Sequence, residues 1–226
     1  MWRSRLAAYG ASLVVLLDGC GSLSGQDTYI NKQYESVPKA AKKLAIVPLT
    51  RLGDSLDPSG KSPLLTKVTD EYFEKSFADS PGRVSLTPMA KARSFFQTNP
   101  DLLDKLLDAT YSKQQLKNSP GLKNILDSAE VSRLRQGLDG ADLILVPAKL
   151  DLVPQWRGIF GYSEFRLYDL DSTSMIYSVT HKMNLNRIDE PGRGLMALAL
   201  IGQASKDFKT LYLRHGMHAP GREILL

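Results

Sequence analysis

Two short apolar runs, Leu44–Leu49 and Ala141–Ala148, constrain the fold of this chain more than any other feature of its sequence. Each run is almost wholly apolar, as expected for a strand that is covered on both of its faces. A strand with one solvent-exposed face would instead alternate apolar and polar residues. The two runs therefore predict the interior strands of a sheet that has other elements packed on both sides.

Signals for helix starts and turns divide the rest of the chain into elements. A capping residue followed by proline is typical of a helix's first turn, because proline lacks an N–H that would be unpaired there anyway. Phe165–Asp169 and Met175–Arg187 predict a hairpin, and Leu195–Leu213 predicts a closing helix. The pairs that predict helix starts are Ser62-Pro63, Thr87-Pro88, Asn99-Pro100 and Ser119-Pro120, and a short strand is predicted over 83–86.

Two details of the strands bear on their pairing. Pro147 lies in the second apolar run and has no N–H to donate, so it predicts a bulge or a break in the ladder. The second strand of the hairpin alternates, which is typical of a half-buried antiparallel strand, and His181 is interpreted as a hydrogen-bonded, partly buried side chain. Its apolar side is predicted to carry Met175, Tyr177, Val179, Met183 and Leu185, and its polar side Ser178, Thr180, Lys182, Asn184 and Asn186.

The order of these elements predicts an α/β fold, a three-layer sandwich in which a mixed sheet has helices on both faces. The domain is expected to span residues 44–213, with a polar-leaning helical insertion at 88–118 and a loose tail at 214–226. The apolar face of the insertion is predicted to be Leu102, Leu103, Leu106 and Leu107.

The amino terminus has the pattern of an export signal. Arg3 and Arg5 precede an apolar run over residues 6–17, and Gly19 precedes Cys20, which is the only cysteine of the chain. A charged start, a short apolar run and a small residue before a cleavage point are typical of a secretory signal, and the run is too short to span a bilayer. A single cysteine cannot form an internal disulfide, so its thiol needs another use.

Leu17, Gly19 and Cys20 resemble the signal of bacterial lipoproteins, in which the cysteine is diacylated and becomes the new amino terminus. The resemblance implies a signal peptide over 1–19 and lipidation of Cys20, whereas Asp18 departs from the small, uncharged residue usual at its position. Gly21, in place of aspartate, implies an outer-membrane lipoprotein that is lipid-anchored and faces the periplasm. The alternative is an ordinary signal or anchor with an incidental cysteine.

Residues 20–43 are polar and predict a flexible tether. About 20 such residues reach roughly 25 Å, enough to hold the domain off the bilayer. Tyr29, Ile30 and Tyr34 are its candidates for docking on the domain or on a neighbouring subunit. Cleavage before Cys20 would remove two arginines and one aspartate from a chain of formal charge +5. The remaining charge is spread along the chain, which favours a solvated surface, and we expect no nucleic-acid partner for an exported protein.

Three segments resemble the TolB amino-terminal-domain-like fold of envelope lipoproteins. They are the first strand with the residue before it, 43–49, the run 140–146, and the hairpin segments 166–170 and 175–178. The group includes the curli-secretion lipoprotein, the outer-membrane activator of penicillin-binding proteins and the periplasm-facing lipoprotein of an exopolysaccharide exporter. The resemblance covers about two-thirds of the mature chain and implies protein binding, ring formation or gating of secretion without catalysis.

Other candidate chemistry is weaker. The segment 55–62 follows a strand and precedes a helix, as a phosphate-binding loop does, but its glycine spacing does not fit and Pro58 and Pro63 remove amides. His215 and His218 have no carboxylate or thiolate set beside them, so neither a metal nor another cofactor is predicted.

No catalytic motif is found either. The chain has no Gly-x-Ser-x-Gly elbow and no paired-acid motif, so we expect that it is not an enzyme. Asp169 and Asp171 are interpreted as turn residues, because aspartate side chains bond to their own backbone in turns.

The segment 156–162 is the best candidate for an interaction site. Trp156, Arg157, Phe160 and Tyr162 lie among glycines between predicted strands. One interpretation is a hairpin end folded back on the core. The other is an interface anchor, because Trp, Tyr and Arg dominate binding hot spots. Such an anchor would dock a sister subunit, a partner protein, a membrane or a glycan.

Together these patterns favour a non-enzymatic, periplasm-facing lipoprotein that is an assembly or accessory subunit of a cell-envelope complex. Secretion or export is the favoured setting, and a homo-oligomer is one of the assemblies that this hypothesis allows. The alternative is a binding module for a glycan or another small ligand at the outer membrane.

Overall fold

The computed structural model of the chain describes residues 23–31, 42–49, 63–78, 84–111, 115, 118, 120–155, 158–185 and 190–213. Within these residues the fold is a six-stranded open mixed sheet in the order β1-β6-β5-β4-β2-β3. The strands β3, β2 and β4 are parallel, and β4, β5, β6 and β1 are antiparallel. The strands are β1 (Leu23–Ile30), β2 (Lys42–Ile46), β3 (Val84–Leu86), β4 (Leu143–Gln155), β5 (Gly158–Asp169) and β6 (Met175–Leu185).

Helices pack on both faces of this sheet, as predicted. They are α1 (Pro63–Ala78), α2 (Met89–Thr98), α3 (Pro100–Asp108), α4 (Ser128–Gly137) and α5 (Glu190–Asp207), with a 3-10 turn at Leu122–Asn124 and a π-helical segment at Phe208–Leu213. We call the face that packs on α1 and α5 the α5 face, and the face that packs on α2, α3 and α4 the α3 face.

The two apolar runs lie in the interior of the sheet because their alternate residues enter different cores. Leu44 and Ile46 pack on the α5 face, whereas Ala45 and Val47 pack on the α3 face. The same division holds in β4, where Ile144 belongs to the core of the α3 face. All of these side chains are fully buried, which explains why these segments carry no polar alternation.

The predicted helical insertion contributes to the core. Leu102 and Leu106 of α3 are fully buried on the α3 face, and Leu103 and Leu107 pack partly buried beside them. The helix starts at Pro63 and Pro100 agree with the proline signals. The expected start at Pro120 is wrong, because a 3-10 turn follows it and α4 begins only at Ser128. Asp127 caps α4: its carboxylate accepts a hydrogen bond from the Glu130 N–H at 2.8 Å.

Strand β1 lies within the range that the sequence predicted as a tether. Residues 23–30 pair antiparallel with β6, from Leu23 opposite Met183 to Ile30 opposite Tyr177. The polar composition of this range did not indicate a strand. Because β1 occupies the edge of the sheet, it needs little apolar surface. Tyr29 packs partly buried against the core of the α3 face, so the expected docking on the domain is confirmed for this residue.

Two bulges set the register of the hairpins. The ladder between β4 and β5 shifts between Pro147 and Lys149, as the missing proline N–H predicts. A second shift leaves Ile176, between Met175 and Tyr177, without a partner residue on β5. Met175 therefore packs on the α3 face and not on the apolar side predicted for it, while Tyr177 and Val179 pack on the α5 face as expected.

The turn between β5 and β6 confirms the interpretation of Asp169. Its Oδ1 accepts hydrogen bonds from the N–H groups of Asp171 at 3.0 Å and Ser172 at 2.8 Å. Its Oδ2 lies 2.5 Å from Lys42 Nζ on β2. The turn is therefore attached to the parallel half of the sheet by a partly buried ion pair.

The end of α4 is held in a similar way. Asp139 has a positive φ of 64°, and its carboxylate pairs with Lys43 and lies 2.9 Å from Lys91 Nζ. These two lysines, Lys43 first, hold the pKa of Asp139 at about 2, below the ordinary value of 3.8. A depressed carboxyl pKa adds stability above the ordinary pKa, and this contribution is lost as the pH falls towards 2.

We therefore predict that Asp139→Asn lowers the melting temperature at neutral pH and that this difference shrinks as the pH falls to about 2. Asparagine also tolerates the left-handed conformation, so the change isolates the charge. Thermal unfolding of both chains across this pH range measures the difference. A gap in melting temperature that stays constant from neutral pH to about 2 would contradict the assignment.

Candidate interaction surface

Strands β4 and β5 extend well beyond the parallel half of the sheet. β2 pairs with only Leu143–Leu145 of β4, whereas β5 follows β4 to the pair Gln155 and Gly158. The projecting part consists of 23–27 of β1, 180–185 of β6, 158–164 of β5 and 149–155 of β4, and we call it the four-stranded extension. Trp156 and Arg157, which connect β4 to β5, lie outside the described residues, as does Cys20.

Phe160 and Tyr162 lie on β5 within this extension, two residues apart and therefore on the same face. Their ring centroids are 6.5 Å apart. Lys182 Nζ, from β6, lies 4.3 Å from the Phe160 ring centroid and 5.5 Å from that of Tyr162, and Lys149 Nζ, from β4, lies 5.6 Å from that of Tyr162. We call these four residues the aromatic–lysine cluster. Cation–π contacts of this kind contribute roughly 0.5–1 kcal/mol each at exposed sites.

The aromatic–lysine cluster lies outside both hydrophobic cores. Phe160, Tyr162 and Lys182 are partly exposed, Lys149 is exposed, and neither aromatic residue belongs to a core. The interpretation as a hairpin end folded back on the core is therefore wrong for Phe160 and Tyr162. The structure brings together these two of the four residues singled out from the sequence and adds two lysines from neighbouring strands.

A buried arginine marks where the α3 face becomes covered. Arg166, further along β5, is 4% exposed and donates from Nη1 to the Ala109 carbonyl, just after α3, at 2.5 Å. Its Nε donates to Glu164 Oε1 at 2.7 Å, and its guanidinium lies over the ring of Tyr111. Burial, together with Tyr111, holds the pKa of Tyr168 well above its ordinary value, so its hydroxyl stays protonated and donates to Tyr111 at 3.2 Å. These bonds fix the chain after α3 to the sheet.

A second polar group lies under the extension, on the α5 face. Ser163 Oγ is 3.1 Å from His181 Nδ1, and His181 Nε2 is 2.6 Å from Asp207 Oδ2. Gln203 Nε2 donates to the other carboxylate oxygen at 3.2 Å. With Asp207 ionised, His181 donates from Nε2 and its Nδ1 accepts from the serine hydroxyl. The bonds join β5 and β6 to the last turn of α5.

Serine, histidine and aspartate in one chain of hydrogen bonds resemble a catalytic triad in composition, but this group is sealed. Ser163 and His181 have no exposed surface, and Asp207 is only 6% exposed. A nucleophile must reach the substrate, so this arrangement holds the fold together and presents no reactive oxygen. The interpretation of His181 as a hydrogen-bonded side chain is confirmed, and its burial is complete.

The partners of His181 escaped the sequence analysis, although a signal for them exists. His181 lies two residues after Val179 and therefore on the same side of β6, and Asp207 lies three residues after the buried Ala204 on α5. A polar residue on the apolar side of a strand and another on the apolar side of a helix are candidates for pairing, because each needs a buried partner.

We predict that His181→Leu costs about 3–5 kcal/mol of unfolding free energy, because it leaves the buried Asp207 carboxylate without its main partner. The double change His181→Leu with Asp207→Leu should cost less than this single change, since no unpaired charge remains. Urea unfolding of the three chains measures both values. A single change that costs no more than the double change would contradict the assignment.

The loop 55–62, His215 and His218 lie outside the described residues. Among the residues that are described, no group of three or more His, Cys, Asp or Glu side chains could hold a metal ion. No helix in the described part of the chain is long and apolar enough to cross a membrane.

Comparison with known proteins finds similarity only among solved structures. No protein-family model matches the chain, and no curated protein matches it. The PelC dodecamer from Paraburkholderia phytofirmans is 11% identical, with a TM-score of 0.39, covering 86% of this chain and 99% of that one. Lipoprotein GNA1162 from Neisseria meningitidis is 16% identical, with a TM-score of 0.34, covering 73% of this chain and 96% of that one. These distant similarities carry no argument about function.

Proposed function

We propose that this chain is a non-enzymatic, lipid-anchored subunit of a cell-envelope complex, with a TolB-like α/β domain that faces the periplasm from the outer membrane. The observation that carries this proposal is the aromatic–lysine cluster on the projecting four-stranded extension. Aromatic side chains are enriched at interfaces, so Phe160 and Tyr162, which are partly exposed together outside either core, mark a surface that contacts another molecule. Secretion or export is the setting we favour.

The anchor rests on Cys20 and the residues around it. Leu17, Gly19 and Cys20 match the lipoprotein signal, and β1 begins at Leu23, three residues after the cysteine. Several acyl chains would hold the protein firmly, because each buried methylene contributes roughly 0.8 kcal/mol.

We predict that cells expressing the chain incorporate labelled palmitate into it and that Cys20→Ala abolishes this incorporation. The reason is that Cys20 supplies the only thiol for acyl attachment. Asp18→Ala should leave the label in place or increase it, since it restores the small, uncharged residue usual before the glycine. Equal labelling of the Cys20→Ala chain and the natural chain would refute the anchor.

The partner-binding role makes a second prediction, which uses the natural amines of the chain. An amine-reactive crosslinker applied to intact cells should join lysines of the chain to discrete partner proteins or to sister subunits, because a subunit of a complex lies against its neighbours. Lys123, exposed in the 3-10 turn near the β5–β6 turn, is one such amine. Mass spectrometry of the crosslinked peptides gives the result.

The absence of any crosslinked protein would contradict membership of a complex and would favour the alternative of a glycan or small-ligand binding module.

A further inference from the structure

We infer that the four-stranded extension lies directly against the membrane, with its aromatic–lysine cluster in the lipid headgroup region. The inference rests on the lipid anchor of the proposed function and deepens it, because it assigns an orientation to the domain. Its occupant is a lipid surface, not a protein or a glycan.

The length of chain between the anchor and the sheet carries the first step. Only Gly21 and Ser22 separate Cys20 from Leu23, the first residue of β1. Three residue steps span at most about 11 Å even when fully extended. A lipid on Cys20 would therefore hold the start of β1 at the bilayer surface, and the predicted reach of a 20-residue tether is not available to the domain.

The strand register shows which part of the sheet lies at that level. Leu23 is opposite Met183 of β6, Met183 is opposite Gly161 of β5, and Gly161 is opposite Leu152 of β4. Beyond this row, β4 and β5 continue to the pair Gln155 and Gly158. The end of the β4–β5 hairpin therefore extends beyond this row, towards the membrane.

Along β5, the side chains on the α3 face change from aromatic to charged, as expected for a surface that passes from lipid headgroups into water. Phe160 is nearest the hairpin end, Tyr162 follows, and the charged Glu164 and Arg166 come next. Aromatic side chains favour the headgroup level, and lysine stems extend along apolar surface while their charges stay in water. Lys182, which contacts both aromatic rings, is placed to meet anionic headgroups.

The opposite end of the sheet has a different character. Asp169 lies eleven residues along β5 from Gly158, which corresponds to roughly 37 Å. There the side chains of Lys42, Asp169, Asp171 and Arg135 pair with one another. This end would face away from the bilayer.

The lone cysteine makes a direct test practical, because lipidation would use Cys20 and leave an introduced cysteine as the only free thiol. The full lipidated chain, with a fluorophore on Val153→Cys, Asp27→Cys or Ser172→Cys, is placed in vesicles of phosphatidylethanolamine and phosphatidylglycerol with a nitroxide on the headgroup. Quenching should be strongest at position 153, weaker at position 27 and absent at position 172. Lys182→Glu or Lys149→Glu should reduce quenching at position 153, whereas Lys123→Glu should not.

The outcomes separate this inference from the anchor. A chain that does not float with the vesicles overturns the anchor and the orientation together. A chain that floats but shows equal quenching at positions 153 and 172 overturns the orientation alone. The orientation is also overturned if Lys123→Glu reduces quenching at position 153 as much as both cluster substitutions do.

Discussion

The pairing of β4 with two different neighbours is the constraint on which the rest of this structure depends. On one side β4 is parallel to β2 through only three residues, and on the other it is antiparallel to β5 along its whole length. Parallel strands need crossover connections, which place helices on the faces, whereas antiparallel strands need only tight turns. On the α3 face the helices therefore gather over the parallel half and leave the hairpins uncovered, whereas on the α5 face α5 also packs on β5 and β6.

This division separates the part of the molecule that stabilises the fold from the part available for contact. The parallel half buries Ala45, Ile46 and Ile144 in two cores, with both sheet faces covered. On the α3 face, Arg166 bonds to the chain after α3, and beyond it along β5 Phe160 and Tyr162 lie outside the cores. The aromatic–lysine cluster is exposed because the helices that cover the α3 face end before it, so no separate loop is needed to form this surface.

The buried group of Ser163, His181 and Asp207 has a complementary role on the α5 face. It lies under the extension and joins two of its strands to the last turn of α5, so the projecting part is attached to the domain by more than its backbone ladder. Its chemistry resembles that of a catalytic site, but complete burial of the serine decides its role. The residue types alone would suggest a hydrolase, but the complete burial of Ser163 and His181 indicates a structural role.

The sequence by itself determined the α/β class, the two interior strands, the bulge at Pro147 and the turn at Asp169. These features depend on local chemistry: apolar runs, a missing N–H and a side chain that bonds to its own backbone. Only the tertiary structure decided that 23–30 is an edge strand, that His181 pairs with Asp207 on α5, and that Lys149 and Lys182 meet Phe160 and Tyr162. Each of these depends on the register between segments far apart in the chain, and a shift of one residue would move a side chain to the opposite face.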